Sequence, residues 1–255
     1  MTTQNLIVVI GATGGQGGSV VNTFLNEPNW RVRGITRNSS SPKAEALKDR
    51  GVEVVQADLD DPASLVPAFE GANAIFLVSD FWAIYNELTG KPNPHPGKSL
   101  NEQAKERETQ QLNNAIDVAA KLPTLSRLVI SSLPHVAKLT GGKYTHIYHY
   151  ESKADAEDYA KEKYPDLWSK TSIFKGGFFL SNFMDHPMSQ PIKVNNSGSF
   201  RARKNVSLIP HRRKMEVLNS CQTWTPTPNS PSSHKMRTLD RLPSLLLTRH
   251  QERTS

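Results

Sequence analysis

The stretch Leu6-Ile-Val-Val-Ile10, followed at once by Gly11-Ala12-Thr13-Gly14-Gly15-Gln16-Gly17-Gly18, is the strongest indication of the fold of this chain. Its apolar run has no polar interruption, which predicts a parallel strand buried on both faces. The glycines let the backbone turn tightly and approach a pyrophosphate, and the helix predicted over 18–25 offers free N–H groups at its positive end. Strand, turn and helix in this order favour a dinucleotide-binding loop over a plain βα turn.

Short apolar runs alternate with helical patterns as far as residue 194. The patterns predict further strands over 30–36, 52–56, 74–78, 128–130 and 171–174, and helices over 43–49, 62–69, 101–122 and 152–163. Asp61-Pro62 is a helix-start signal, because the carboxylate can cap and proline suits the first helical position. The alternation predicts an α/β fold, a Rossmann-type doubly wound parallel sheet with right-handed crossovers.

The charge of the chain is concentrated in its last part. Residues 1–194 carry 20 Lys/Arg and 21 Asp/Glu, whereas residues 195–255 carry 11 and 3 and so supply the whole excess of +7. The second segment also has five prolines, nine serines and six threonines and loses apolar periodicity. We therefore predict a dinucleotide-binding domain over 1–194 and a poorly ordered basic C-terminal tail over 195–255. The tail lacks interleaved aromatics or a helical basic stripe, which argues against nucleic acid or acidic lipid as its partner.

The composition also indicates the cellular compartment of the protein. Cys221 is the single cysteine, so the fold does not depend on an intrachain disulfide or on a cysteine-based zinc site. The apolar run after Asn5 is too short for a signal-peptide core, and no stretch has the length of a membrane span. We expect a cytoplasmic protein with no membrane partner, with the nucleus as the alternative compartment.

The ends of the next strands indicate which nucleotide binds. The second strand ends in Arg37-Asn38-Ser39-Ser40-Ser41, without the carboxylate that binds the ribose of NAD, and an arginine there suits the 2′-phosphate of NADP. The third strand ends at Asp58, which either binds the adenine amine or caps the next turn. The fourth ends at Ser79-Asp80-Phe81-Trp82, at the edge where ligands bind in such sheets. These residues favour NADP(H) over NAD(H).

Motifs spread along the chain together resemble the NmrA-like family of atypical short-chain dehydrogenase/reductases. They are Gly11 to Gly17, Thr36-Arg37-Asn38, Gln56-Ala57-Asp58-Leu59-Asp60-Asp61, Phe76-Leu77-Val78-Ser79, Ser131-Ser132-Leu133, His149-x-x-Ser152-Lys153-Ala154 and Gly177-Phe178-Phe179-x-x-Asn182-Phe183. The similarity runs from residue 5 to about 190, and the chain departs from the family's pattern after about Pro191. The resemblance implies NADP(H) contacts at Gly11, Ala12, Thr13, Gly14, Gly15, Gln16, Arg37, Asn38, Ser39, Ser40, Ser41, Asp58, Leu59, Ser79, Asp80, Phe81, Lys153, Phe179, Leu180, Ser181 and Asn182.

Candidate catalytic residues follow from comparison with short-chain dehydrogenases, which use Tyr-x-x-x-Lys on one helix and a serine from the preceding strand end. Ser131 and Ser132 end the fifth predicted strand, and Lys153 takes the lysine position. His149 stands where the tyrosine is expected, and Tyr150 lies one turn before the lysine. Three interpretations remain open: His149 transfers the proton, Tyr150 does so with altered geometry, or the site binds cofactor without turnover. No metal site is predicted.

Two functions of different classes are compatible with these residues. The first is an NADP(H)-dependent oxidoreductase acting on a small metabolite, favoured by Ser131, Ser132 and Lys153. The second is a non-catalytic NADP(H) redox sensor that binds a regulatory protein partner, favoured by His149 at the tyrosine position. The resemblance implies NADP(H) binding for both, and it includes members of either kind.

Overall fold

The computed structural model describes residues 4–92, 95–177, 179 and 182, together with the backbone of the strands at 191–194, 199–202 and 209–210. In this part of the chain strands and helices alternate. The strands of the large sheet are β1 (Asn5–Ile10), β2 (Trp30–Thr36), β3 (Glu53–Gln56), β4 (Ala74–Leu77), β5 (Arg127–Ser132) and β6 (Thr171–Lys175). The helices are α1 (Gly15–Phe24), α2 (Pro42–Lys48), α3 (Pro62–Phe69), α4 (Phe81–Leu88), α5 (Leu100–Ala119), α6 (Val136–Leu139), α7 (Tyr148–Lys163) and α8 (Pro165–Ser169).

The sheet has the doubly wound order that the alternation predicts. Its six strands run β3-β2-β1-β4-β5-β6, and all of the pairs are parallel. The order reverses between β1 and β4, where Ile7 pairs with Ala74. In open α/β sheets the crevice at this reversal, outside the carboxyl ends of the strands, is where ligands bind.

The core lies on both faces of this sheet. Leu6, Val8 and Ile10 of β1 pack into a cluster with α3, α5 and α7, while Ile7 and Val9 pack on the opposite face with α1 and α2. Successive strand residues point to opposite faces, so a strand covered on both sides must be apolar throughout. The interpretation of 6–10 as a doubly buried strand is confirmed.

Side-chain caps lie at the starts of α2, α3, α4 and α5. Ser41, Asp61, Asp80 and Ser99 each accept a hydrogen bond from a backbone N–H in the first turn of α2, α3, α4 and α5. Asp61 accepts from the N–H of Ala63 at 3.1 Å with Pro62 at the first helical position, as the sequence predicts. The Ser99 cap is reciprocal, because the Glu102 carboxylate accepts from the Ser99 N–H at 2.8 Å.

The predicted bounds differ from the observed ones mainly at helix starts. The first helix begins at Gly15, inside the glycine-rich stretch, instead of at residue 18, and α7 begins at Tyr148 instead of at residue 152. Glycine and polar residues in a first turn weaken the helical pattern there, which explains both errors. The sequence pattern does not predict the helices α4, α6 and α8.

The chain divides into two compact units, one made of residues 1–175 and 238–255 and one of residues 176–237. In the second unit the structure describes an antiparallel sheet of three strands, β7 (Pro191–Val194), β8 (Ser199–Ala202) and β9 (Ile209–Pro210), in that order. The strands β8 and β9 lie where the sequence predicts no regular element. The rest of the predicted tail lies outside the described residues, and the domain boundary at residue 194 stays a prediction.

The described helices were also compared with the length and hydropathy that a membrane span requires. No helix in the part of the chain that the structure describes is both long enough and apolar enough to cross a bilayer.

Candidate functional site

The candidate site lies at the carboxyl edge of the large sheet. The segments that follow β1, β2, β3, β4 and β5 carry most of the residues that the sequence singles out. Because parallel strands end at one edge, the topology brings together residues separated by more than a hundred positions. One such pair is Gln16 and Ser131, whose side chains are joined by a hydrogen bond of 2.7 Å between the Ser131 hydroxyl and Gln16 Oε1.

The glycine-rich turn has the close packing that requires glycine. Gly11 has φ of +67°, and a Cβ at Gly17 would lie 2.2 Å from the carbonyl oxygen of Gly11. At Gly15, by contrast, an added Cβ would have no heavy atom within 4 Å. Gly14, the N-cap of α1, provides no side-chain cap, and the first turn has no acidic residue. The turn therefore leaves an open helix N-terminus that fits a phosphate group.

The segment after β2 lies at the surface beside this turn. Arg37 and Asn38 are exposed. Ser39 donates its hydroxyl to Gln56 Oε1 at 3.1 Å, the Ser40 N–H is bonded to Asn38 Oδ1 at 3.0 Å, and Ser41 caps α2. Burial raises the pKa of Asp60, but hydrogen bonds from Arg107 and Gln111 and the charges of Arg107 and Arg37 lower it below its ordinary value. Arg37 is accordingly an exposed cation at the strand end where the ribose that carries the 2′-phosphate of NADP is expected.

The segment after β3 is held by its own carboxylates and by α5. Asp58 Oδ1 accepts from the Asp60 N–H at 3.0 Å, so Asp58 caps this turn, which is one of the two roles that the sequence leaves open. Asn114 of α5 donates to the carbonyl oxygen of Leu59 at 2.9 Å. Arg107 of α5 binds Asp60 through two nitrogens, its Nη2 at 2.6 Å. The contact of Asp58 with adenine stays a prediction.

The end of β4 supplies one buried polar contact and one apolar cluster. The Ser79 hydroxyl donates to Glu108 Oε1 at 2.7 Å. Asp80 accepts from the Ala83 N–H at 3.0 Å, so its carboxylate is used in capping α4. The Phe81 ring is buried with Ile84 and Ala104. The side chains of Ser79, Asp80 and Phe81 thus all have partners within the protein.

A buried carboxylate joins three of the elements at this edge. Glu108 of α5 has 0% of its surface exposed and accepts from Ser79, from the Ser152 hydroxyl and from the Lys153 ammonium group. The Lys153 side chain is 11% exposed. The predicted lysine is therefore present at the expected place, but it is paired with a carboxylate that the sequence did not single out.

The rings of His149 and Tyr150 lie on α7, about one turn before Lys153. The His149 ring is 4.8 Å from the Tyr150 ring and 5.2 Å from the Trp82 ring, centroid to centroid. Burial lowers the pKa of His149, and the Lys153 ammonium lowers it further, while Glu108 opposes them. Trp82 is 53% exposed. Of the two candidate proton donors, His149 lies beside an exposed indole, and Tyr150 contacts the His149 ring.

The strand-end serines have partners of different kinds. Ser131 and Ser132 are the last two residues of β5 and both are buried. Ser131 is bonded to Gln16, while Ser132 donates to the carbonyl oxygen of Leu133 at 3.4 Å. The structure therefore connects Ser131 to the glycine-rich turn.

Four predicted cofactor residues fall after β6. Leu180 and Ser181 lie outside the described residues. Phe179 and Asn182 belong to the second unit, where the Asn182 N–H donates to the Phe179 carbonyl oxygen at 3.0 Å. The contacts with NADP(H) predicted for these residues stay predictions.

One group of side chains within the described residues has the spacing of metal ligands. His135, Asp155 and Asp158 offer atoms within 4.8 Å of one another. Asp155 is paired with Lys105 at 2.8 Å and Asp158 with Lys138, so both carboxylates already have cationic partners. The group resembles a network of ion pairs between α5, α6 and α7.

The sequence does not single out Glu108 as a site residue. It stands in a helix rich in charged residues, where nothing in the sequence distinguishes it from an exposed carboxylate. Trp82 is named in the sequence only as part of the segment after β4, and the structure adds its contact with the His149 ring.

Comparison with known proteins defines the family. The model of the NmrA-like family matches residues 3–207. The NmrA-like family domain-containing oxidoreductase hkm9 of Aspergillus hancockii is 31% identical over 182 residues, which are 71% of this chain and 49% of that protein. FrzB of Cladobotryum sp., with the same description, is 32% identical over 70% of this chain and 48% of its own length. The chain belongs to the NmrA-like family, and it spans about half the length of these relatives.

Solved structures agree with this at the level of the fold. The crystal structure of NmrA, a negative transcriptional regulator, matches with a TM-score of 0.58 and 19% identity over 77% of this chain and 53% of that one. The structure of NmrA in complex with NAD matches with a TM-score of 0.53 and 20% identity over 69% of this chain and 46% of the other. At these identities the likeness shows the fold.

Proposed function

We propose that this chain binds NADP(H) and that the protein is an NADP(H)-dependent oxidoreductase of the atypical short-chain dehydrogenase/reductase type, acting on a small metabolite. The observation that carries the proposal is the uncapped N-terminus of α1, which directly follows β1 and is lined by Gly14 and Gly15. Free N–H groups and the helix dipole stabilise a pyrophosphate at such a terminus. Open space around Gly15 leaves room for the phosphate to approach the backbone.

The choice of NADP(H) is supported by the end of β2. Arg37 is exposed there, and residues 37–41 contain no carboxylate that would bind the 2′-hydroxyl of NAD. A guanidinium can bind a phosphate through two parallel hydrogen bonds. NmrA has been crystallised with NAD, but it shares only 20% identity with this chain. Its nucleotide therefore does not predict the nucleotide of this chain, and the proposal of NADP(H) depends on Arg37 and its neighbours.

The proposed reaction divides its tasks among the residues at the sheet edge. NADPH supplies the hydride when it is bound. Lys153 holds the nucleotide ribose, while Ser131 or Ser132 orients the substrate oxygen. His149 or Tyr150 donates the proton that this oxygen needs. The two rings are in contact on the first turn of α7, and the His149 ring also lies against Trp82, where the substrate would bind.

The alternative is a non-catalytic NADP(H) sensor that regulates a protein partner. Its support is His149 at the tyrosine position, together with the burial that lowers the pKa of this histidine and disfavours its acid form. NmrA itself is described as a negative transcriptional regulator.

We propose a cytoplasmic location for the enzyme, with the nucleus as the alternative for the sensor, and a fluorescent fusion would report which is correct.

One experiment separates the two functions. NADPH and NADH binding to the purified full chain is measured by calorimetry, and NADPH oxidation is then followed with aldehydes, ketones, quinones and enones. If the protein is the proposed enzyme, it binds NADPH more tightly than NADH and oxidises NADPH with at least one class of carbonyl compound. Stoichiometric NADPH binding without oxidation of NADPH in any reaction supports the sensor. Failure to bind either nucleotide contradicts both.

A further inference from the structure

Glu108 is a fully buried carboxylate that receives two hydroxyls and one ammonium group from residues at the candidate site. The Ser79 hydroxyl and the Lys153 ammonium share Oε1, and the Ser152 hydroxyl donates to Oε2. Its partners come from the end of β4 and from α7, while Glu108 itself is on α5. Both oxygens are therefore occupied by donors from the elements that carry the proposed chemistry.

A carboxylate in this position has a cost that its partners must offset. Removing a charged group from water is unfavourable unless the charge is paired and its remaining lone pairs accept hydrogen bonds. Glu108 meets both conditions, because Lys153 neutralises it and two serines complete its hydrogen bonding. Conversely, Lys153 is nearly buried, and Glu108 is the carboxylate that holds its ammonium group.

We propose that Glu108 is a positioning residue that holds the Lys153 ammonium at the cofactor edge and compensates its charge beside His149. The inference rests on the proposed function, because it assigns Glu108 to the site that binds the nucleotide. A four-carbon lysine chain is flexible, so a fixed partner confines its charge to one place. Ser79 and Ser152 in turn hold the carboxylate itself.

His149 reports on this arrangement without any cofactor. The groups that face its ring are Phe81 and Trp82 of α4, which are uncharged, and Tyr150 of its own helix. The charged groups acting on it are Lys153, which lowers its pKa, and Glu108, which raises it. Removing either partner of the pair therefore shifts the His149 pKa, and the two shifts have opposite signs.

A matched control exists on the same two helices. Asp117 of α5 accepts from Tyr159, Tyr164 and Lys163, so it also receives two hydroxyls and one ammonium group near the end of α7. Asp117→Asn removes an equivalent carboxylate away from Lys153. It reports the effect of weakening the α5–α7 contact alone.

The test is an NMR titration of the His149 imidazole in the full chain without nucleotide, assigned through His149→Phe. We expect Glu108→Gln to lower the His149 pKa further, Lys153→Met to raise it, and Asp117→Asn to leave it unchanged. Glu108→Gln should also weaken NADPH binding about tenfold, the effect of one displaced charged hydrogen bond. An unchanged His149 pKa and unchanged NADPH affinity in Glu108→Gln would overturn the inference.

A second measurement covers the case in which Glu108→Gln does not fold. Lys153→Met leaves the Glu108 carboxylate buried and unpaired, so we expect the double variant Glu108→Gln/Lys153→Met to have a higher urea midpoint than Lys153→Met alone. A midpoint of the double variant at or below that of Lys153→Met would show that the two groups are not a pair. If the wild-type chain binds no NADPH while the pKa shifts occur as expected, the proposed function fails and the positioning of Lys153 by Glu108 stands.

Discussion

Arg37 is the residue on which the choice between the two nicotinamide nucleotides depends. Arg37→Glu removes a phosphate partner and places a negative charge beside the 2′-phosphate, so the affinity for NADPH should fall at least about tenfold while that for NADH changes little. Isothermal calorimetry with both nucleotides measures this. Arg31→Glu is the matched control, since Arg31 is also exposed but lies near the start of β2. An equal loss for both nucleotides would show that Arg37 does not recognise the phosphate.

His149 and Tyr150 compete for the role of proton donor, and pH distinguishes them. Burial, and then the Lys153 ammonium, lower the pKa of His149 below its usual 6.5, so its acid form predominates only at more acidic pH than that of a free imidazole. If His149 donates the proton, kcat for carbonyl reduction should rise as the pH falls through that lowered pKa. His149→Phe should then cut kcat by roughly 10²–10⁴-fold with little change in NADPH affinity.

The control for this prediction is Tyr150→Phe, which keeps the neighbouring ring and removes only the hydroxyl. A large loss of kcat in Tyr150→Phe, with a normal rate in His149→Phe, would assign the proton to the tyrosine. If neither variant changes kcat, the proton comes from a group outside this pair.

At the scale of elements, two glycines of the β1–α1 turn have different roles, Gly15 in nucleotide binding and Gly17 in packing. A Cβ at Gly15 meets no heavy atom within 4 Å, so Gly15→Ala should raise the free energy of unfolding by about 0.4–1 kcal/mol by restricting the unfolded chain. The same methyl group enters the space proposed for the pyrophosphate, and NADPH affinity should therefore fall. Urea unfolding and calorimetry test the two effects. Gly15→Ala with full NADPH affinity would place the phosphate elsewhere.

Gly17→Ala is the comparison variant, because its Cβ would lie 2.2 Å from the carbonyl oxygen of Gly11. Backbone atoms must move to accept it, so both stability and NADPH binding should decrease. We expect a loss of about 1–3 kcal/mol in the free energy of unfolding, the usual effect of overpacking. A stable Gly17→Ala protein would contradict the observed closeness of β1 and α1.

At the scale of the whole molecule, the unequal composition of the chain makes a prediction about proteolysis. The apolar periodicity ends near Val194 and the basic excess begins there. We expect limited trypsin digestion of the full chain to cut first between residues 195 and 235 and to leave a fragment that still binds NADPH. Mass spectrometry of the first product locates the cut. Resistance of residues 195–255 to trypsin, or loss of nucleotide binding when they are removed, would show that this segment contributes to the packing of the folded protein.

Much of the fold follows from local patterns. The run 6–10 is apolar at every position because β1 is covered on both faces, and each β–α unit repeats a pattern that a short window of sequence contains. The Asp61-Pro62 start of α3 is likewise local, since a cap and its N–H donor lie two residues apart. The strands β8 and β9 lack such a pattern, and the sequence predicts no regular element there.

The doubly wound sheet, the glycine-rich turn and the family can be inferred from the sequence alone, because they depend on periodicity and on motifs of neighbouring residues. The folded structure is needed to show that Glu108 pairs with Lys153, that Ser131 binds Gln16, and that Trp82 lies against His149. These contacts join residues that are distant in the chain, and no local pattern distinguishes a buried Glu108 from an exposed glutamate. The burial of Glu108 and its pairing with Lys153 are properties of the packed elements, since they arise only when α5 and α7 pack together against the sheet.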